Sequence, residues 1–462
     1  MPARAALPLI ALRIRSVRPL SPGMREGLLV AALAVLCAVT YLPAVNNGFI
    51  SDDFIMLEYV EQWRADFGFL FRIAPDVFRI TSYVVLRIFM WAFGYSSAPL
   101  YAFVILVHFV NCVLLFRLCR LLSGDFRIAA AAALLFSVTQ NAQEAVMWLA
   151  AMAYALGGFC ILASLVFWQR GRYGASSIFF LVGLFSTESV LVLLLLVPLT
   201  DSWVSGHMRW RRQYLFLLAP PLVLAAVFVA TLPSHHMVHE GLYAFGWHAL
   251  VVFGRSLFRL VFPWVLSLIL ILGILERRLV LREVFPAIVW MCITLSPFVF
   301  LTYQAYVPSR HNYVPVMGLA LALAGLLVGA RSRRLAAVLM AMVMVANISY
   351  IWVRKDAQYE QRAAPTTKLL EELRRRRPER ILVEDFPLNP WMARMCARHV
   401  PGWQPHLIQV NGPVDSCATC PAFRWVEAGG RYEIILPGDR QDAGSVRAAS
   451  AHVVGHDFPR KP

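Results

Sequence analysis

The sequence predicts an α-helical polytopic membrane protein of about 11 transmembrane helices, followed by a small α/β domain at the C-terminal end. Three observations carry that expectation. Of 462 residues, 59% are apolar and 15% charged, whereas soluble domains average ~25% charged residues. Apolar runs repeatedly approach the ~20 residues that cross a bilayer as a helix. Arginine clusters fall between alternate runs, as in the cytoplasmic loops of multi-pass proteins. That placement also argues against nucleic acid as a partner. A net charge of +16 would suit a phosphate polymer, but here the charge sits where topology puts it.

Residues 1–26 form a basic segment with Arg4, Arg13, Arg15, Arg18 and Arg25, expected inside the cell. The apolar run from Gly27 to Val45 is longer than a signal-peptide core and ends without a small-residue cleavage site, so it reads as an uncleaved signal anchor. Further spans are expected near 98–119, 128–140, 146–168, 174–187, 189–204, 213–232, 250–275, 284–303, 312–330 and 335–353. This alternation places Arg117, Arg120 and Arg127 inside, then Arg170 and Arg172, then Arg209, Arg211 and Arg212. Arg277, Arg278 and Arg282 follow, and last Arg331, Arg333 and Arg334. Short loops near 141–145, 187–189 and 233–247 then lie outside without Lys or Arg, and the one near 304–311 has Arg310 alone. The pair 174–187 and 189–204 reads as a hairpin rather than one long tilted helix, because arginines flank it on both sides. An odd number of spans sends the tail outside.

The membrane domain thus covers 27–353. Its first outer loop, 46–97, mixes Asp52, Asp53, Glu58, Glu61, Asp66 and Asp76 with apolar residues at helical spacing, which suggests helices along the membrane surface. The segment 354–462 reads as a small extracytoplasmic α/β domain. Its expected elements are a helix at 365–376, a strand at 380–384, a helix at 390–399, and strands near 406–410, 422–426 and 431–436. Cys417 and Cys420 could be a disulfide or half a metal site, and an oxidising compartment favours the link. Cys37, Cys112, Cys119, Cys160 and Cys292 lie in or beside apolar helices, where a thiol behaves as a small hydrophobe.

Against this background a few polar residues need a reason. Asp52 and Asp53 follow the first span directly. Adjacent carboxylates repel, which can raise one pKa toward the range of an effective base; the alternative is a solvated loop. Arg79, among apolar residues, suits a bidentate phosphate contact or snorkelling to headgroups. Glu144, in the polar turn from Gln140 and Asn141 to Val146, is a substrate contact or a helix cap. Glu188 sits in a tight turn between apolar runs. Arg310-His311-Asn312-Tyr313 is a basic patch on the side that the topological bias leaves poor in cations, which suggests anion binding or headgroup contact. His235, His236 and His239 lack the HExxH order of a zinc helix. His108 and Asn111 read as an interhelical hydrogen-bonding pair.

Together these residues resemble the GT-C superfamily of integral-membrane glycosyltransferases, in its protein O-mannosyltransferase-like branch, which includes the membrane TPR-type enzymes. The matching elements are Asn47-Gly48-Phe49 with Asp52-Asp53, Phe78-Arg79, Gly94 with Pro99, and His108 with Asn111. Glu144-Ala145-Val146, Ser186-Thr187-Glu188, and Arg310, Tyr313, Pro315 and Gly318 follow in the family's order. The likeness runs from about residue 27 to 353. Ile80 stands where the family has Pro and Thr187 where it has Lys, and the tail lacks the TPR period. The resemblance implies a polyprenyl-phosphate-linked sugar donor and a protein, lipid or glycan acceptor on the outer face of a bacterial cytoplasmic membrane. It implies Asp52 or Asp53 as base in an inverting transfer, and Arg79, Arg310 and His311 as donor-phosphate contacts. Asn141, Glu144, Glu188 and Tyr313 would be acceptor or sugar contacts. No cofactor is required; some members use a divalent cation, Mg or Mn. Two other classes compete: a transporter or lipid flippase, whose charged groups would sit near the midplane, and a non-catalytic scaffold.

Overall fold

The computed structural model describes residues 21–66, 68–69, 79–207, 211–231, 241–262, 264–276, 281–400, 407–411 and 419–437. The chain opens on α1 (Pro22–Tyr41), started by Pro22 and by Ser21, whose hydroxyl accepts from the Met24 amide at 3.3 Å. A 3-10 turn, Leu42–Asn46, leads to the acidic pair and to α2 (Asp53–Ala65), and α3 (Ile80–Phe93) follows. These two helices occupy the expected first outer loop. α3 leaves Ile88, Trp91 and Phe93 uncovered, as a helix embedded in an apolar interface would.

α4 (Ala98–Ser123) is stopped by Gly124 in the left-handed region, and Asp125 restarts the chain by accepting from the Arg127 amide at 2.7 Å. α5 (Phe126–Ser137), α6 (Glu144–Met147), α7 (Met152–Gln169), α8 (Tyr173–Leu184) and α9 (Leu193–Ser205) follow. Beyond them come α10 (Ala219–Thr231), α11 (Trp247–Val261), α12 (Trp264–Glu276), α13 (Leu281–Leu295), α14 (Pro315–Gly329) and α15 (Arg333–Tyr350). α4, α5, α7 and α14 form the centre, with α1 against α4 and α13 against α14. Gly158 lets α7 approach the Tyr313 ring so closely that a Cβ would overlap it. Peripheral helices leave large apolar side chains such as Leu222 and Val229 uncovered, the surface of a protein solvated by lipid.

Among the described residues six helical stretches are long and apolar enough to cross a membrane, and a seventh if α11 and α12, bent by 55°, count as one. The expected spans 128–140, 174–187, 284–303 and 312–330 correspond to shorter apolar helices. Each of these gives way at one end to a 3-10 turn: Gln140–Ala142, Glu188–Val192, Ser296–Phe298 and Ser309–Asn312. Irregular backbone at membrane depth is tolerated where protein surrounds it. The chain breaks between α8 and α9 at Ser186-Thr187, so a single helix across 174–204 does not form.

Segments expected on one side of the bilayer meet each other. Arg117 pairs with Glu26 at 2.9 Å, and Arg127 and Arg333 line one cavity. At the opposite end the tail packs on the first loop. Two corrections concern that tail. Its first helix, α16 (Asp356–Arg376), begins well before residue 365. It also continues α15 through a π turn at Ile351–Lys355, giving one helix of 44 residues. Pro365 lies inside this helix rather than at its start. The strands are β1 (Ile381–Glu384), β2 (Ile408–Val410), β3 (Ala422–Val426) and β4 (Arg431–Ile435), in the order β2-β1-β3-β4. β1 is parallel to β2 and β3, while β4 returns antiparallel. All four β1 residues are buried, as a central parallel strand requires. α17 (Pro390–Arg398) packs beside them, capped by Asn389. Cys420 is disulfide-bonded; Cys417 lies outside the described residues.

Candidate active site

The break between α6 and α7 is the hub. Trp148 is extended, Leu149–Ala151 make a 3-10 turn, and the peptide groups there are free to bond sideways. Ala150 uses both of its groups. Its N–H donates to Asp53 Oδ1 at 2.6 Å, and its carbonyl accepts from the Arg79 guanidinium at 3.0 Å. One residue thus ties the acidic pair to the arginine.

Asp53 is 1% exposed, and its other oxygen accepts from the Ile50 amide at 2.8 Å. Burial pushes its carboxyl up to about 8, against the pull of the two amides and of Arg362, while neighbouring Asp52 adds to the rise. Asp52, at the start of α2, is exposed. Ser51 before it has φ 48, a left-handed conformation that costs a non-glycine residue roughly 1–2 kcal/mol and that clusters at functional sites. The preceding loop is clamped from several directions. Trp148 Nε1 donates to Ile50 O at 3.3 Å, Ser97 to Asn47 O at 2.7 Å, and Thr366 of α16 to Phe49 O at 3.2 Å. Gly48 lies so close to α16 that a Cβ would overlap Thr367.

Arg79 also donates to the Tyr154 hydroxyl at 3.3 Å and lies over that ring. Glu188 and Asp52 both act on it electrostatically. The Glu188 turn is fixed there by Thr81, which donates to Ser186 Oγ at 2.6 Å. Glu144 accepts from the Arg310 amide at 3.1 Å and faces its guanidinium at 3.6 Å. Arg310 lies over Trp148 at 5.4 Å, and so does Arg362 at 5.0 Å. His311 is buried between Phe298 and Tyr154. Burial first, then Arg310 and Arg79, hold its pKa well below the usual imidazole value. It is therefore a neutral ring with a buried, unbonded Nδ1, and no second cation.

The structure therefore brings together Asp52, Asp53, Arg79, Glu144, Glu188 and Arg310 around Trp148 to Tyr154. One expected residue falls elsewhere. Tyr313 is fully buried, and its hydroxyl is committed to His108 Nδ1 at 2.8 Å and Asn111 Nδ2 at 2.9 Å. His108 and Asn111 do join helices, through that shared hydroxyl. Asn141 sits in the 3-10 turn Gln140–Ala142, which packs on Ser309–Asn312, and it lines a cleft with Thr139, Trp264 and Asn347. His235, His236 and His239 lie outside the described residues, as does Phe78. Mg and Mn prefer oxygen ligands. Among the described residues the one group of three ligand atoms within 4.8 Å of each other is Cys37, His108 and Cys112 in the helix core, a soft set unsuited to those hard ions.

Sequence reasoning missed Trp148, Tyr154, Lys355 and Arg362. A signal for the last two existed: both follow the last span on the expected outer side, where the bias disfavours cations just as it does at Arg310.

The architecture is that of a mostly helical membrane protein with a small sheet of four strands near the C-terminal end. It is similar to the crystal structure of ArnT from Cupriavidus metallidurans in the apo state, with a TM-score of 0.50 and 13% identity over 88% of this chain and 94% of that one. A structure of ArnT bound to undecaprenyl phosphate aligns over 87% of this chain and 94% of that one, with a TM-score of 0.48 and 14% identity. At such identities the likeness is one of fold. No protein-family model matches the chain, and no curated protein matches it in sequence.

Proposed function

We propose that this protein is a membrane glycosyltransferase that moves a sugar from a polyprenyl-phosphate donor to an acceptor on the extracytoplasmic face of a bacterial cytoplasmic membrane. Its motif order assigns it to the protein O-mannosyltransferase-like branch. The observation that carries the reading is Ala150, whose amide and carbonyl join a buried aspartate to an arginine beside an exposed carboxylate.

In this reading the acceptor hydroxyl attacks the anomeric carbon as the bond from that carbon to the phosphate oxygen breaks. Asp52, the accessible acid, takes the acceptor proton. Asp53 is a positioning residue: it anchors the turn that aims Asp52. A phosphate leaving group departs as an anion and needs cations rather than a general acid, unlike the alcohol that leaves in glycoside hydrolysis. Arg79 and Arg310 supply the charge. Glu144 orients Arg310, and Glu188 is left to contact sugar or acceptor. The mechanism requires no resident metal.

The test is transfer by purified protein from a panel of polyprenyl-phosphate sugars, with Asp52→Asn beside the wild type. General-base catalysis contributes typically 10²–10⁴-fold, so Asp52→Asn should lose at least about a hundredfold in rate. Its unfolding midpoint should hold, because the side chain is exposed. Full transfer by Asp52→Asn would end the assignment.

A further inference from the structure

The tail was expected to be a domain apart, yet its first helix enters the site. α16 continues the last span without a linker, so its residues are placed as firmly as those of the bundle. Arg362, about two turns into it, lies over Trp148 at 5.0 Å and over Tyr359 at 5.7 Å. Arg310 lies over the same Trp148 ring at 5.4 Å, so one indole gathers two guanidinium groups from sequence positions 52 residues apart. Arg310 has a carboxylate, Glu144. Among the described residues Arg362 has none within salt-bridge distance. It is half-buried, and its charge acts on Asp53 and on Lys355. Lys355 in turn feels Arg259 and Arg354, with Glu144 as the one opposing carboxylate.

Such an arrangement is unfavourable on its own. Like charges that share one ring in partly desolvated surroundings repel, and stacking on an indole, worth about 0.5–2 kcal/mol, is what holds each of them there. A cation cluster on the side where the topological bias disfavours cations makes physical sense if an anion completes it. Arginine rather than lysine suits this position, since its planar fork can stack on Trp148 and still direct N–H groups edgewise at oxygens.

We propose that Arg310 and Arg362 form the two jaws of a phosphate clamp on Trp148, one from the membrane domain and one from the tail helix. The tail is then part of the donor site rather than an appended module. This rests on the transferase reading for the identity of its natural ligand, a polyprenyl-linked phosphate. The shared chemistry, a phosphate bearing two negative charges or one, could equally come from a free phosphate, and the experiment separates the two.

Binding to the full-length protein in nanodiscs would be measured by calorimetry with two probes, undecaprenyl phosphate and inorganic phosphate. The variants are Arg362→Ala, Arg362→Lys and, as a charge control on the exposed face of the same helix, Arg374→Ala. Arg362→Ala should weaken undecaprenyl phosphate about tenfold or more, Arg362→Lys should fall between it and wild type, and Arg374→Ala should bind as wild type. An Arg362 effect on inorganic phosphate alone would reassign the site to a soluble anion and overturn the donor clamp. Unchanged binding by a folded Arg362→Ala, or an equal loss in Arg374→Ala, would overturn it as well. The Arg362→Lys protein keeps the result readable if the alanine variant does not fold. The assay involves no transfer. Arg362-dependent binding without transfer from any donor sinks the transferase reading and leaves the clamp; Asp52-dependent transfer with Arg362-independent binding does the reverse.

Discussion

Asp53 makes a prediction that changes sign with pH. Its carboxyl is buried, held by the amides of Ile50 and Ala150, and raised from 3.8 to about 8. A raised acid favours the fold in its protonated form. The stability it contributes is complete below the unfolded value near 4 and is lost as pH rises through the folded value near 8. Roughly four units at ~1.4 kcal/mol each bound the loss at about 6 kcal/mol, and several kcal/mol is the working figure. Asp53→Asn removes that titration but puts an NH₂ group where one oxygen accepted an amide. A buried donor left without an acceptor costs about 1–3 kcal/mol.

The two effects cross. At pH 5 Asp53→Asn should be less stable than wild type by about 1–3 kcal/mol. At pH 9 the deficit should vanish or reverse, because the wild type then holds a buried charge. Other groups titrate over the same range, so the difference between the two proteins isolates Asp53. Thermal unfolding in detergent at pH 5, 7 and 9 reads it, as apparent midpoints at one scan rate, since membrane proteins seldom unfold reversibly. Parallel pH profiles for the two proteins would refute the reasoning and return Asp53 to the role of an ordinary ionised acid.

Gly48→Ala should destabilise by roughly 1–3 kcal/mol through overpacking, because its Cβ would overlap Thr367. Thr367→Ala in the same chain should restore most of the loss, read as a double-mutant cycle of unfolding midpoints; simple additivity would mean that the two residues do not touch. His399, stacked near Tyr95 and Phe54 and pushed down to about 4 by burial and by Arg374 and Arg398, behaves oppositely to Asp53. Its contribution is complete above the usual value near 6.5 and is lost as pH falls toward 4, about 3 kcal/mol at most. Limited proteolysis should therefore release the tail faster at pH 4.5 than at pH 7, and His399→Phe should remove that dependence.

Much of the fold was legible because each signal was local. The tail strands at 422–426 and 431–436 and the helix at 390–399 announce themselves through Asn389-Pro390 and Gly429-Gly430, and they are found within a residue of those limits. The arginine alternation likewise put Arg117 on the side of Glu26, and Arg127 on the side of Arg333, and each pair is found together. The site was legible in part. Asp52, Asp53, Arg79, Glu144, Glu188 and Arg310 stood out as polar groups in apolar surroundings. Tyr313 entered through the family resemblance, but a tyrosine satisfied inside a bundle carries the same sequence signature as one facing a substrate. Only its bonds to His108 and Asn111 separate the two.

Arg362 was hidden by a boundary. Dividing the chain where hydropathy falls, near residue 354, separates the last span from α16, whereas the backbone hydrogen bonds continue through a π turn. Helical hydrogen bonding is indifferent to side-chain polarity, so a helix can leave the bilayer as a rigid strut. At 1.5 Å per residue the seven residues from Lys355 to Arg362 carry the guanidinium about 10 Å along that strut. This suffices to return it over Trp148, because the Asn47–Ile50 loop is itself held against α16 by Thr366 and by the missing side chain of Gly48. The same contacts that aim Asp52 therefore also set the reach of Arg362. A loop that moved would displace base and cation together, which is a reason for the clamp and the acidic pair to share one support.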